Sequence, residues 1–83
     1  MSTEVPPWFR LHDRIDELTP REKQVFLLLA QGRSNQDLAD LLFVSERTVR
    51  AHLTQIMSKL EFDSRLGACL SSYVYQHLAV ADK

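Results

Sequence analysis

Arg47, Arg50, Ala51, Thr54 and Ser58 recur at the spacing of one helical face, and each has a use against a nucleic-acid duplex. A guanidinium can fork onto the O6 and N7 of guanine, an alanine methyl can touch the thymine methyl, and threonine can do either job. The reverse side of the same stretch carries Val49, Leu53, Ile56 and Leu60 at steps of four, three and four, which is the spacing of a buried helical stripe. Ser45 stands where its hydroxyl can accept from an unpaired N–H of the first turn. A capped helix with an apolar back and a short, basic, hydrogen-bonding front is what a major groove accepts. Any amphipathic surface helix turns arginine and threonine to water, so the row takes its meaning from its neighbours.

Those neighbours are helices that could hold it. Ser34-Asn35-Gln36-Asp37 opens a second helix, with Ser34 as cap and Asp37 in the first turn; Leu38, Ala39, Leu41 and Leu42 follow as a short, largely buried segment. Ala39 is small where another helix has to pass close by. Phe43-Val44 leads directly into Ser45, and two capped helices about three residues apart form a helix-turn-helix unit. The openings of the pair, Ser34 to Gln36 and Ser45 to Thr48, would offer N–H groups and polar side chains to backbone phosphates. Upstream, Thr19 with Glu22 is a capping box and Pro20 falls at the first helical position; that helix runs through Val25, Phe26, Leu28 and Leu29 to Gly32, which can close it left-handed. Downstream, Glu61-Phe62-Asp63-Ser64 reads as a turn, with Ser64 or Asp63 capping a last helix. The apolar side of that helix, with Leu66, Cys69, Leu70, Tyr73, Val74, His77 and Leu78, is broader than core packing needs, which leaves part of it for a second subunit. At the start, residues 1–7 read as a lead-in, and a short amphipathic helix from about Pro7 to Asp16 would lay Trp8, Phe9 and Ile15 on the body of the domain or on a partner.

Length and composition bound the rest. Eighty-three residues make one small domain, and a single cysteine, Cys69, excludes an intrachain disulfide and suits the cytoplasm. The longest apolar run, Val25 to Ala30, is far too short to span a bilayer, and no secretory signal pattern opens the chain. The formal net charge is −1, whereas nucleic-acid binders usually carry an excess of positive charge. Duplex binding therefore has to rest on clustered arginines, with weak nonspecific affinity.

Catalysis finds no footing. His12, His52 and His77 fall on three different expected helices without i, i+4 partners, and the cysteine and histidine pairs of a zinc site are missing. Cys69 sits in an apolar stripe as an inert thiol, and two glycines, Gly32 and Gly67, cannot build a phosphate loop. The expectation is no enzyme, no metal, no cofactor and no small-molecule substrate.

Leu18-Thr19-Pro20-Arg21-Glu22, Gly32-x-Ser34-Asn35-x-Asp37-Leu38-Ala39, Ser45-x-x-Thr48-Val49-x-x-His52 and Ile56-x-x-Lys59-Leu60, followed by Arg65, resemble the LuxR/GerE-type helix-turn-helix. The resemblance runs without a gap from about Leu18 to Val80. It implies a four-helix DNA-binding domain of bacterial transcription factors, with the third helix in the major groove, the fourth at the dimer contact, and inverted-repeat sites. By the same resemblance Arg50, Ala51 and Thr54 reach base edges, while Arg47, Thr48, His52 and Lys59 lie near the backbone, and Val49, Ile56 and Leu60 are core. Three departures stand out. Glu61 replaces the usual glycine after the Lys-Leu pair, so the turn lacks a residue that favours positive φ. Asp63 brings negative charge close to where a phosphate would lie. Only about seventeen residues precede Leu18, as in the short stand-alone members or a fragment of a longer protein; Met1 and the Trp8–Ile15 segment favour the former.

The expectation is thus an all-α, four-helix LuxR-type helix-turn-helix domain at 18–80, an N-terminal arm with a short extra helix at 1–17, and a tail at 81–83. It would act as a cytoplasmic transcriptional regulator on double-stranded DNA, as a homodimer. The expected DNA-facing set is Ser34, Asn35, Gln36, Ser45, Arg47, Thr48, Arg50, Ala51, His52, Thr54, Gln55 and Lys59; the expected dimer set is Leu66, Cys69, Leu70, Tyr73 and His77. RNA polymerase or another protein is a further partner for the N-terminal helix. Two alternatives stay open: a sigma-region-4-like polymerase-binding domain, against which His52 and Lys59-Leu60 speak, and a protein-interaction module that keeps the fold without binding DNA.

Overall fold

The computed structural model describes residues 14–81, with side chains up to His77. Four helices follow one another: α1 Pro20–Leu29, α2 Asn35–Leu42, α3 Glu46–Leu60 and α4 Arg65–Ala81. The described residues are all-α, as expected. The expected helix over 7–16 lies outside the described residues except at its end, where Arg14 and Ile15 are helical. Trp8 and Phe9 lie outside them, as do Asp82 and Lys83.

Each helix starts where a side chain satisfies its first N–H groups. Thr19 Oγ1 accepts from Glu22 N at 3.1 Å while Glu22 Oε1 accepts from Thr19 N at 3.0 Å, closing both halves of the capping box. Ser34 Oγ accepts from Asp37 N, Ser45 Oγ from Thr48 N, and Ser64 Oγ from Gly67 N, each at 3.1 Å. Gly32 ends the turn after α1 at φ 69°. The other two corners are left-handed without glycine: Phe43 at φ 58° closes α2 and Glu61 at φ 61° closes α3. Only three residues, Phe43 to Ser45, separate α2 from α3.

The core joins Ile15, Val25, Phe26, Leu29, Leu38, Val49, Ile56 and Ala68, with Leu18, Ala39, Leu42 and Leu60 nearly as deep. α1 packs on α3 and α4, and α2 packs on α3, where buried Ala39 permits the close approach. Leu41 departs from the expected pattern: it is 45% exposed, because the inward side of an eight-residue helix is filled by Leu38, Ala39 and Leu42.

α4 is held to α1 by polar bonds as well as apolar ones. Buried Ser72 donates to the Phe26 carbonyl at 2.6 Å, and Gln76 Nε2 donates to the Leu27 carbonyl at 2.9 Å. Both carbonyls belong to the last turn of α1, whose oxygens have no continuing helix to pair with. Phe26 and Tyr75 add an edge-to-face contact with centroids 6.1 Å apart.

Candidate nucleic-acid interface

The inner side of α3 is anchored before its outer side offers anything. Val49, Ile56 and Leu60 are buried, and Leu53 is half-buried against the core. Near the C-terminal end of α3, Lys59 Nζ donates to Glu22 Oε1 at 2.7 Å, fixing the helix to the opening turn of α1. Burial pushes the Glu22 carboxyl up. The hydrogen bonds from Lys59 and the Thr19 N–H, with the charges of Lys59 and His52, outweigh that and hold it below its ordinary value. Arg14 Nη1 reaches the far end of α3, pairing with Glu61 Oε2 at 2.7 Å and donating to the Lys59 carbonyl at 3.4 Å.

With that side fixed, Arg47, Arg50, Ala51, Thr54, Gln55 and Ser58 are all exposed on the other. Arg47 forms no ion pair among the described residues. Arg50 Nη1 pairs with Glu46 Oε1 at 3.0 Å, and Thr54 Oγ1 donates to the Arg50 carbonyl at 3.0 Å. At the helix start, Ser45 Oγ also donates to Thr48 Oγ1 at 3.0 Å, so both hydroxyls belong to the cap.

The opening of α2 meets this face through Arg65. Its guanidinium donates to Asn35 Oδ1 and, at 2.9 Å, to the Arg33 carbonyl. Arg65 also lines, with Arg50, Leu53, Thr54, Met57 and Ala68, an open groove of about 290 Å³ between α3 and α4. The opening of α2, the outer row of α3 and the first residue of α4 are thereby joined at Arg65. Gln36 Nε2 donates to Asp40 Oδ1 at 3.0 Å and stays exposed, as does Ser34 at its cap. His52 and Lys59 are half-buried beside Glu22, on the flank of the row.

Two cations absent from the expected set belong to this surface. Arg65 was visible only as a motif position; Arg33, exposed and bonded to Gln31 Oε1 at 2.5 Å, had no periodic signal because it lies in a turn. Among the described residues no group of histidine, cysteine, aspartate and glutamate could hold a metal, and no helix is long and apolar enough to cross a membrane.

α4 presents a second, separate surface. Leu66, Leu70 and Tyr73 are exposed, and His77 stacks on Tyr73 with ring centroids 4.0 Å apart. Cys69 is half-buried and packs against the core, so it sits at the margin of that stripe. The inward residues are Ala68, Ser71 and Ser72, none of which stood out by hydrophobic spacing.

Comparison with known proteins identifies the family of the domain. Over 59 residues the chain is 42% identical to an uncharacterized transcriptional regulatory protein, YhcZ, of Bacillus subtilis; the match covers 71% of this chain and 28% of that protein. Over 60 residues it is 42% identical to the response regulator protein VraR of Staphylococcus aureus and of Staphylococcus saprophyticus, covering 72% of this chain and 28% of each relative. The similarity therefore spans little more than a quarter of those relatives' length. Residues 16–71, from before α1 through the first two turns of α4, match the family described as bacterial regulatory proteins, luxR family. The chain is a member of the luxR family of bacterial regulatory proteins, and α2 with α3 is its helix-turn-helix.

Proposed function

We propose that the domain binds duplex DNA sequence-specifically as a homodimer, placing α3 in the major groove, and regulates transcription from the cytoplasm without catalysing a reaction. The observation that carries the reading is the division of labour on α3. Val49, Ile56, Leu60 and Lys59 hold it from within, while Arg47, Arg50, Ala51 and Thr54 stand outward with no packing duty. Arg50, Ala51 and Thr54 are the base-reading residues in this proposal. Ser34, Asn35, Gln36, Ser45, Thr48 and Gln55, with Arg47 and the added Arg33 and Arg65, face the backbone, and His52 and Lys59 flank them. Two recognition helices of a dimer would meet successive major grooves about one helical turn apart. The exposed stripe Leu66, Leu70, Tyr73 and His77, edged by Cys69, is the proposed contact between protomers.

Selection of duplexes from a random pool, followed by titration across salt concentrations, tests the reading. The expected result is an enriched inverted repeat bound with a steep salt dependence. Arg33, Arg47 and Arg65 from each protomer would neutralise about six phosphates, a log–log slope of about −5. A folded sample that enriches no sequence at low salt overturns the proposal in favour of a protein-interaction module. Capture of core RNA polymerase without DNA enrichment would point to the sigma-region-4-like alternative.

A further inference from the structure

Glu46 is an acidic residue in the first turn of the very helix that the proposed function sends toward a polyanion. Its carboxylate accepts from Arg50 at 3.0 Å, with the Arg50 side chain 58% and the Glu46 side chain 41% exposed. An arginine on a helix surface is long and flexible, and near DNA the nearest acceptors are phosphates, which position a protein without reading sequence. Two things on this helix oppose that outcome. Holding one Nη1 donor restricts the guanidinium and leaves four of its five N–H groups, two more than a forked contact needs. The Glu46 charge, one turn toward the helix start, repels phosphate while leaving the acceptor-rich edge of guanine open to Arg50.

We infer that Glu46 is a specificity-determining positioning residue: it holds Arg50 in the orientation that reads a guanine edge and keeps it off the backbone. The inference rests on the proposed DNA-binding reading and adds a role for a residue that touches Arg50 rather than packing in the core. A merely structural Glu46 would act through the helix dipole, to which any first-turn carboxylate contributes. Aspartate separates the two roles, since it keeps the charge in the first turn but, one methylene shorter, can meet Arg50 only by drawing the guanidinium out of its present position.

The experiment compares the wild-type chain, Glu46→Gln and Glu46→Asp on the duplex selected by wild type and on a scrambled duplex, with salt titrations and thermal melts for each. Both variants are expected to lose about fivefold in preference for the selected duplex, with the loss concentrated at the guanine that Arg50 reads. Glu46→Gln should also bind the scrambled duplex more tightly, with a salt slope steeper by about one, because the freed Arg50 can take a phosphate. Wild-type preference in both variants overturns the inference. So does wild-type preference in Glu46→Asp with loss in Glu46→Gln, which would assign the effect to charge alone. Should Glu46→Gln melt early, the aspartate variant still decides. No enrichment by the wild-type chain overturns the DNA-binding reading and this inference together.

Discussion

Glu22 does two jobs with one carboxylate, capping α1 through the Thr19 N–H and receiving Lys59 from α3. Its folded-state value is depressed, so its stabilisation is complete above the ordinary glutamate range and drains away as pH falls through the folded-state value. Glu22→Gln should therefore cost about 1–2 kcal/mol at neutral pH and flatten the acid limb of a stability profile measured by denaturant unfolding. An unchanged acid limb would mean that other carboxylates set it. Strain is the second residue-scale effect. Phe43 and Glu61 occupy left-handed corners that cost a side chain about 1 kcal/mol relative to glycine. Phe43 is 94% exposed, so Phe43→Gly should raise stability by about 0.5–1 kcal/mol. Glu61→Gly should gain less, since it also gives up the exposed pair with Arg14, worth about 0.5 kcal/mol. Melting of the two variants side by side checks the order.

At the scale of elements, α4 has two faces that a charge tells apart. Leu70→Glu or Tyr73→Glu, on exposed positions, should leave a folded monomer. Ala68→Glu, on a fully buried one, should unfold the chain, and Cys69→Glu should fall between them. Sedimentation beside circular dichroism distinguishes these results, and a Leu70→Glu variant that stays dimeric would remove α4 from the proposed interface. The capping residues Thr19, Ser34, Ser45 and Ser64 were legible in the sequence because a cap acts within three residues. The stripe Val49, Ile56 and Leu60 was legible because a helix repeats its buried side. The other features depend on partners far away in the chain. Ser72 is buried because the Phe26 carbonyl, 46 residues earlier, needs a donor, and Lys59 turns to a glutamate 37 residues before it. On α4, Leu66, Cys69, Leu70, Tyr73 and His77 share one apolar arc by spacing, and only the placement of α4 on the core leaves Cys69 half-buried. Leu41 reads as core by residue type and is pushed outward once its three neighbours fill the inner side of α2.

For the molecule as a whole, a net charge of −1 leaves room for arginines that no carboxylate neutralises locally. Lys59 is spent on Glu22 and Arg50 is shared with Glu46, whereas Arg33, Arg47 and Arg65 have no carboxylate partner among the described residues. Arg50→Glu should abolish selection of a specific duplex while lowering stability by only about 0.5 kcal/mol, the cost of placing like charges four residues apart beside Glu46. Unaltered affinity in a titration would remove Arg50 from the reading surface. The left-handed corners at Phe43 and Glu61 carry a wider consequence. They delimit α3 as a cassette whose phase is set by its own ends and by Val49, Ile56 and Lys59, leaving residues 46, 47, 50, 51 and 54 as the interchangeable type of the proposed reading surface. Grafting those five side chains from a relative should transfer that relative's target preference with the melting temperature nearly conserved, so this scaffold can change vocabulary without refolding.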